Sequence, residues 1–279
     1  SDFENAFGIL VQLPNRKGIL SNPDAIVRVA DVYKCMKIAV VDPMCQVLMK
    51  PVGEMGFDIA VGSMQRFGVP MGFGGPHAAF FAITDKYKRK IPGRIVGQSV
   101  DSQGNPALRL ALQTREQHIR RDKATSNICT AQALLANMAG FYAAYHGAEG
   151  LKVIARRIKL LRSTLITVLK WNGFEVDECD GFDTVRWKSN FIIEDYNVNY
   201  EDGYIILSLD ELSNFNTILD IVKSQTDLDT PMQIILQAWD SVVGNKWKTI
   251  IERTKPWLQQ EVFSKYQSET NMMRYINEL

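Results

Sequence analysis

The sequence predicts an α/β fold, with a mostly parallel sheet in a large domain followed by a smaller α+β domain. Three observations carry this. Two short apolar runs, Ile9–Leu13 and Ile38–Val41, flank a segment with helical spacing. Apolar residues between Ile128 and Leu169 recur three and four apart, as along a long helix. Roughly the last hundred residues mix strand-like and helix-like stretches. The expected domains are 1–125 and 126–279, with the long helix opening the second.

Each element follows from local pattern. Ile9–Leu13 is short and mostly apolar. Asn22-Pro23 reads as an N-cap followed by proline at the first helical position, and Ile26, Val29, Ala30 and Tyr33 continue at helical spacing. Ile38–Val41 ends in Asp42, so strand, helix and strand form a βαβ unit with buried parallel strands. In such sheets ligands bind at the carboxyl ends of strands, where Asp42 falls. Asp58–Gly62 and Ala78–Ile83 read as further strands on either side of a glycine-rich turn. Ile95–Val100 and Ala107–Leu112 flank the turn-rich Asp101–Pro106, as in a hairpin. Leu135, Met138, Tyr142 and Tyr145 hold a helical stripe that Gly147 interrupts. Leu151, Ile154, Ile158, Leu161, Leu165 and Leu169 resume it up to Gly173. Thr184–Trp187 and Tyr204–Leu209 read as strands and Phe215–Val222 as a helix. Met272, Met273, Ile276 and Leu279 read as one apolar helix face that lacks its partner.

Composition narrows the function classes. With 279 residues, 46% of them hydrophobic, the chain can bury a large core. A formal charge of +1 lacks the basic excess of a dedicated nucleic-acid binder. No apolar run reaches the ~20 residues of a membrane helix. Ser1 followed by a strand-like run reads as a cut inside a longer protein. Cys35, Cys45, Cys129 and Cys179 form no CxxC pair and only three histidines are present, so a zinc site is not expected.

Two segments could carry chemistry. Gly72-Phe73-Gly74-Gly75-Pro76-His77 could turn backbone N–H groups toward an anion. The plainer reading is a tight turn between strands. Thr114 through Lys123 is dense in charge, and its arginines suit carboxylates and phosphates. The plainer reading there is a solvated helical turn with internal ion pairs. His77 and His118 have no nucleophile partner in sequence, and Cys129 opens a helix, where a buried structural role is the simpler one.

Taken in order, these segments resemble one family. Phe67-Gly68-Val69-Pro70, then Gly74-Gly75-Pro76-His77-Ala78-Ala79-Phe80-Phe81-Ala82, then Pro92-Gly93-Arg94, then Leu110 through Arg121, then Lys123 through Thr130 resemble the P-protein family of the glycine cleavage system. Residues 1–150 match closely and 151–279 more loosely. Ser268–Ile276 resembles the segment joining the two halves of single-chain members.

The resemblance implies an aspartate aminotransferase-like fold, that of type I pyridoxal-phosphate enzymes. It implies the N-terminal half of a glycine decarboxylase, whose C-terminal half carries the cofactor lysine and binds pyridoxal phosphate. The intact protein would decarboxylate glycine and pass the aminomethyl group to the lipoyl H-protein. Its partners would be the C-terminal catalytic half and, as a homodimer, a second copy. Neither nucleic acid nor a membrane is expected. The compartment would be bacterial cytoplasm or mitochondrial matrix.

By the same resemblance, Asp42 is the counterpart of the acid under the cofactor ring nitrogen, and Gln65 stands at the lysine position. An amide cannot attach the cofactor, and Arg66 beside it stays protonated. Lys50 and Lys123 are not placed to substitute. No catalytic residue is therefore expected in this chain, no covalent cofactor and no metal. Gly74, Gly75, Pro76, His77 and Arg115, with Asn127 and Cys129 behind them, are the candidates to line a shared cleft. Two alternatives are a non-catalytic interaction scaffold and an unrelated anion-binding module using Arg115–Lys123.

Overall fold

The computed structural model describes residues 3–91, 95–111, 121–123, 132–226, 230–244 and 251–279. Strands β1 (Gly8–Leu13), β2 (Met36–Val41) and β3 (Ile59–Ser63) run parallel, and β4 (Ala79–Ile83) adds an antiparallel edge, in the order β1-β2-β3-β4. Ile38 pairs with Leu10 on one side and Ile59 on the other. Ala39 and Val41 belong to the first core cluster, and the half-buried Val11 and Ala60 pack against it.

Helix α1 (Asp24–Val32) joins β1 to β2. Pro23, rather than Asn22, takes the N-cap position, one residue later than the sequence reading. Asn22 still serves the helix start, because its Oδ1 accepts from the Asp24 N–H at 3.0 Å. Helix α2 (Pro43–Leu48) follows β2 and was not foreseen. Met44, Cys45, Val47 and Leu48 are all buried, so the segment shows no polar face and no period. Asp42-Pro43 is nonetheless an N-cap and N1 pair of the favoured type.

Strands β5 (Ile95–Val100) and β6 (Pro106–Ala111) form the expected hairpin. Asp101 Oδ1 organises its turn by accepting from the N–H groups of Gln103 and Asn105 at 2.8 and 2.9 Å.

The long helix α3 (Ala133–Trp171) breaks at Gly147, where φ is 60° and ψ −174°. That backbone region is open essentially to glycine alone. A Cβ there would also stand 2.4 Å from Phe263 O and 2.2 Å from Gln267 Nε2. Gly147→Ala is expected to destabilise the chain by about 2 kcal/mol or more, read as a lower urea midpoint with unchanged slope.

Before the break, Leu135 and Ala139 are buried against the parallel sheet, as are Leu151, Ala155 and Ile158 after it. From Leu161 onward, Leu165, Val168 and Leu169 enter a second cluster. There they meet the antiparallel sheet β7 (Thr184–Lys188), β9 (Tyr204–Ser208) and β8 (Asn199–Glu201), ordered β7-β9-β8. Helices α4 (Phe215–Gln225) and α5 (Met232–Val243) cover this cluster. Asn214 and Thr217 close the start of α4 as a capping box. Each fully buried Leu or Ile in these clusters contributes about 1.5–3 kcal/mol.

The chain returns to the first cluster near its end. Lys50 N–H donates to Ile251 O at 2.5 Å, and Arg253 N–H to Leu48 O at 2.9 Å. Ile251, Trp257 and Leu258 pack there, together with Phe182. Helices α6 (Val262–Lys265) and α7 (Glu269–Glu278) close the chain. The apolar face expected on α7 is split: Met272 is buried, whereas Met273 is 72% and Leu279 78% exposed. Tyr275 takes the inward role, stacked on Tyr266 at 4.1 Å and edge-on to Phe141 at 6.3 Å.

Candidate functional site: a polar cleft at the strand ends

A cleft of about 380 Å³ opens at the carboxyl ends of β1, β2 and β3. Leu13, Asp42, Ser63, Gln65 and Arg66 line it from the parallel sheet, and Asp183, Thr184 and Ser208 from the antiparallel one. This is where parallel α/β sheets place their ligands. A larger hollow of about 600 Å³ lies between Met64, Phe67, Ala78, Trp257 and Tyr275. Its walls are nearly all apolar, so it lacks the convergent polar groups of a reactive site.

Asp42 Oδ1 caps α2, accepting from the N–H groups of Met44 at 2.8 Å and Cys45 at 2.9 Å. Its Oδ2 receives Arg66 Nε at 3.0 Å. Arg66 Nη2 pairs with Asp183 and donates to Leu209 O at 3.2 Å. The guanidinium carbon sits 5.5 Å from the centre of the Phe182 ring. One arginine thus joins the ends of both sheets. Burial pushes the Asp42 carboxyl above its ordinary range, against the pull of Arg66 and two backbone N–H groups. Burial also pushes the Cys45 thiol up, with Asp42 adding to the effect, so that sulfur is a poor nucleophile.

Behind the cleft, Lys159 donates to Gly181 O at 2.9 Å and to Asp180 Oδ1 at 3.2 Å. Burial lowers its pKa to about 8, with Arg162 adding and Asp180 opposing. A lysine depressed from 10.5 to about 8 binds fewer protons folded than unfolded within that window. Stability is therefore expected to rise as pH climbs from 8 towards 10.5, by at most about 3 kcal/mol. Urea titrations across that range should lose this rise in Lys159→Met.

Of the other candidate residues, only Gln65 is found among the described lining of the cleft. Gln65 lines the cleft beside Arg66, and its own N–H turns to Ser63 Oγ at 3.2 Å. Lys50 and Lys123 are not among the residues lining the cleft. Nor are Gly74, Gly75, Pro76 and His77, whose turn is largely exposed. The N–H groups of Gly74 and Gly75 both donate to Met71 O, at 3.1 and 3.2 Å. Those two groups hold the turn together and are spent for cradling an anion. Arg115, Asn127 and Cys129 fall outside the described residues, as does most of the charged segment 114–123. Among the described residues, no cluster of three or more His, Cys, Asp or Glu side chains could hold a metal ion. No helix of the described chain is long and apolar enough to cross a membrane.

Residues 1–235 match the family described as glycine cleavage system P-protein. The chain belongs to that family. It is 45% identical over 292 residues to glycine dehydrogenase (decarboxylating) of Prochlorococcus marinus strain SARG, and 46% identical over 288 residues to that of Vibrio parahaemolyticus. These alignments cover 99% of the chain but 30% of either relative, so the chain spans about 30% of the length of the curated relatives it matches. A crystal structure of glycine decarboxylase (P-protein) in inhibitor-bound form superposes with a TM-score of 0.69 at 29% identity, over 84% of this chain and 55% of that one. Pyridoxamine-pyruvate aminotransferase of Mesorhizobium loti has the same fold, with a TM-score of 0.52 at 11% identity, over 83% of this chain and 64% of that one. The chain therefore has the type I pyridoxal-phosphate fold.

The cleft residues do not fit that cofactor. Its attachment requires a lysine and its protonated ring nitrogen an acceptor. Among the described residues no lysine lines the cleft, and both Asp42 oxygens have protein donors. The buried group left over, Arg66 Nη1, is a donor with no partner among the described residues. Sequence reasoning singled out Asp42 and Gln65 but missed that Arg66 joins Asp42 to Asp183. Its partners at Asp183 and Leu209 lie 117 and 143 positions away, beyond any local pattern.

Proposed function

We propose that this chain is the N-terminal, lysine-lacking half of a glycine dehydrogenase (decarboxylating). In the intact protein, pyridoxal phosphate is bound by the C-terminal half and supplies the electron sink for loss of carbon dioxide from glycine. The aminomethyl group then passes to the lipoyl arm of the H-protein. This half contributes no nucleophile and no proton-transfer group. It pairs with the catalytic half, and the intact protein forms a homodimer. The Gly74–His77 turn, with Arg115, Asn127 and Cys129, belongs to the wall facing that half. The compartment is cytoplasm in a bacterium or the mitochondrial matrix in a eukaryote.

The observation that supports this reading most is identity of 45% sustained over 99% of the chain with a protein named for that reaction. The test is co-expression of this chain with the remainder of the protein, followed by release of labelled carbon dioxide from carboxyl-labelled glycine in the presence of lipoyl H-protein. Turnover by the pair and none by this chain alone is the expected result. Turnover by this chain alone would contradict it.

A further inference from the structure

The cleft departs from a cofactor site by more than one residue. We propose that Arg66 stands in for the cofactor there. It consumes the Asp42 carboxylate and ties the strand ends to the second sheet, so that lysine at position 65 alone would not make a cofactor site. This rests on the reading that places Gln65 at the cofactor-lysine position.

The geometry argues it in three steps. First, Asp42 has no free oxygen: the start of α2 uses one, and Arg66 Nε, at 3.0 Å, uses the other. A protonated ring nitrogen would have to share Oδ2 with the guanidinium that already sits on it. Second, the guanidinium cannot leave by titration, because it stays charged at any ordinary pH. Moving it aside would strand the Asp183 carboxylate, whose side chain is 9% exposed. Third, the cations lining the cleft, Arg16 and Arg66, already have carboxylate partners in Glu201 and in Asp42 and Asp183, with which a phosphate group would have to compete. Phe182, fully buried, places its ring within cation–π range of the guanidinium.

The test uses the full chain with pyridoxal phosphate as the probe. The proteins are the parent, Gln65→Lys, Gln65→Lys/Arg66→Ala and Gln65→Lys/Arg66→Gln. The last keeps a polar side chain of moderate volume in case alanine disrupts folding. Each is titrated with the cofactor and reduced with borohydride, and the adduct is located by peptide mapping. Thermal melting followed by circular dichroism reports the fold. The expected result is no saturable adduct at position 65 in the parent or the single variant. A double variant should bind at least about tenfold more tightly, with the adduct at position 65. Loss of cooperative melting in both double variants but not in Gln65→Lys would show the tying role directly and also support the proposal. A saturable adduct in Gln65→Lys as tight as in the double variants overturns the proposal and leaves the placement of Gln65 standing. No adduct at position 65 in any folded variant overturns both.

Discussion

Arg66→Ala is expected to lower the free energy of unfolding by about 4 kcal/mol at neutral pH, measured by urea denaturation. The loss is large because one truncation leaves two carboxylates without their cation in a largely closed site. Arg66 and Asp42 are 19% and 22% exposed, and Asp183 only 9%. Breaking a buried pair from one side costs about 3–5 kcal/mol, mostly as the penalty of the charge left behind. The pH dependence has a definite sign. Burial already raises the folded Asp42 pKa above 3.8 even with Arg66 present. Without the guanidinium it rises further, so the folded variant holds protons that the unfolded chain has released. The variant's stability should fall as pH rises through the window above 3.8. Its deficit against the parent should shrink as pH is lowered into that window. A deficit independent of pH would show that Arg66 acts by packing alone.

Trp187→Ala is expected to cost about 4 kcal/mol, read the same way. Trp187 is fully buried in the second cluster, on the middle of β7. Its indole Nε1 donates to Gln225 Oε1 at 3.1 Å, and Gln225 is itself 1% exposed. Alanine therefore opens a cavity and also strands a buried amide oxygen. Trp187→Phe separates the two effects. It keeps most of the ring and removes the donor, so it should lose about 1–3 kcal/mol. Equal losses from the two variants would contradict the packing assignment.

The readable parts of the fold were those with an unambiguous period. Between Leu151 and Leu169 the buried apolar residues pass from the first core cluster to the second along one helix, and the spacing of three and four follows directly. Gly147 marked the break because a single glycine interrupted that stripe. The βαβ start was legible because continuous apolar strands bracket an amphipathic helix. Helix α2 was not, since burial on every side erases periodicity and only Asp42-Pro43 announced it. Helix α5 was missed for another reason: it keeps an exposed face, but that face includes the apolar Leu236 opposite the buried Ile235 and Ala238, which blurs the contrast between its sides. Glycine content at residues 72–75 could not say where the N–H groups point, and the structure turns two of them back onto Met71 O. For the cleft, family resemblance located Asp42 and Gln65. The Arg66 bridge needs the second sheet brought to the first, which no window of sequence contains.

The account turns on which half of the intact protein carries the cofactor. The direct measurement is to reconstitute this chain with the remainder of the protein, saturate it with pyridoxal phosphate, reduce it with borohydride and map the modified lysine by mass spectrometry. The account predicts one stoichiometric adduct on the remainder and none within residues 1–279. A stoichiometric adduct on any lysine of this chain would contradict it.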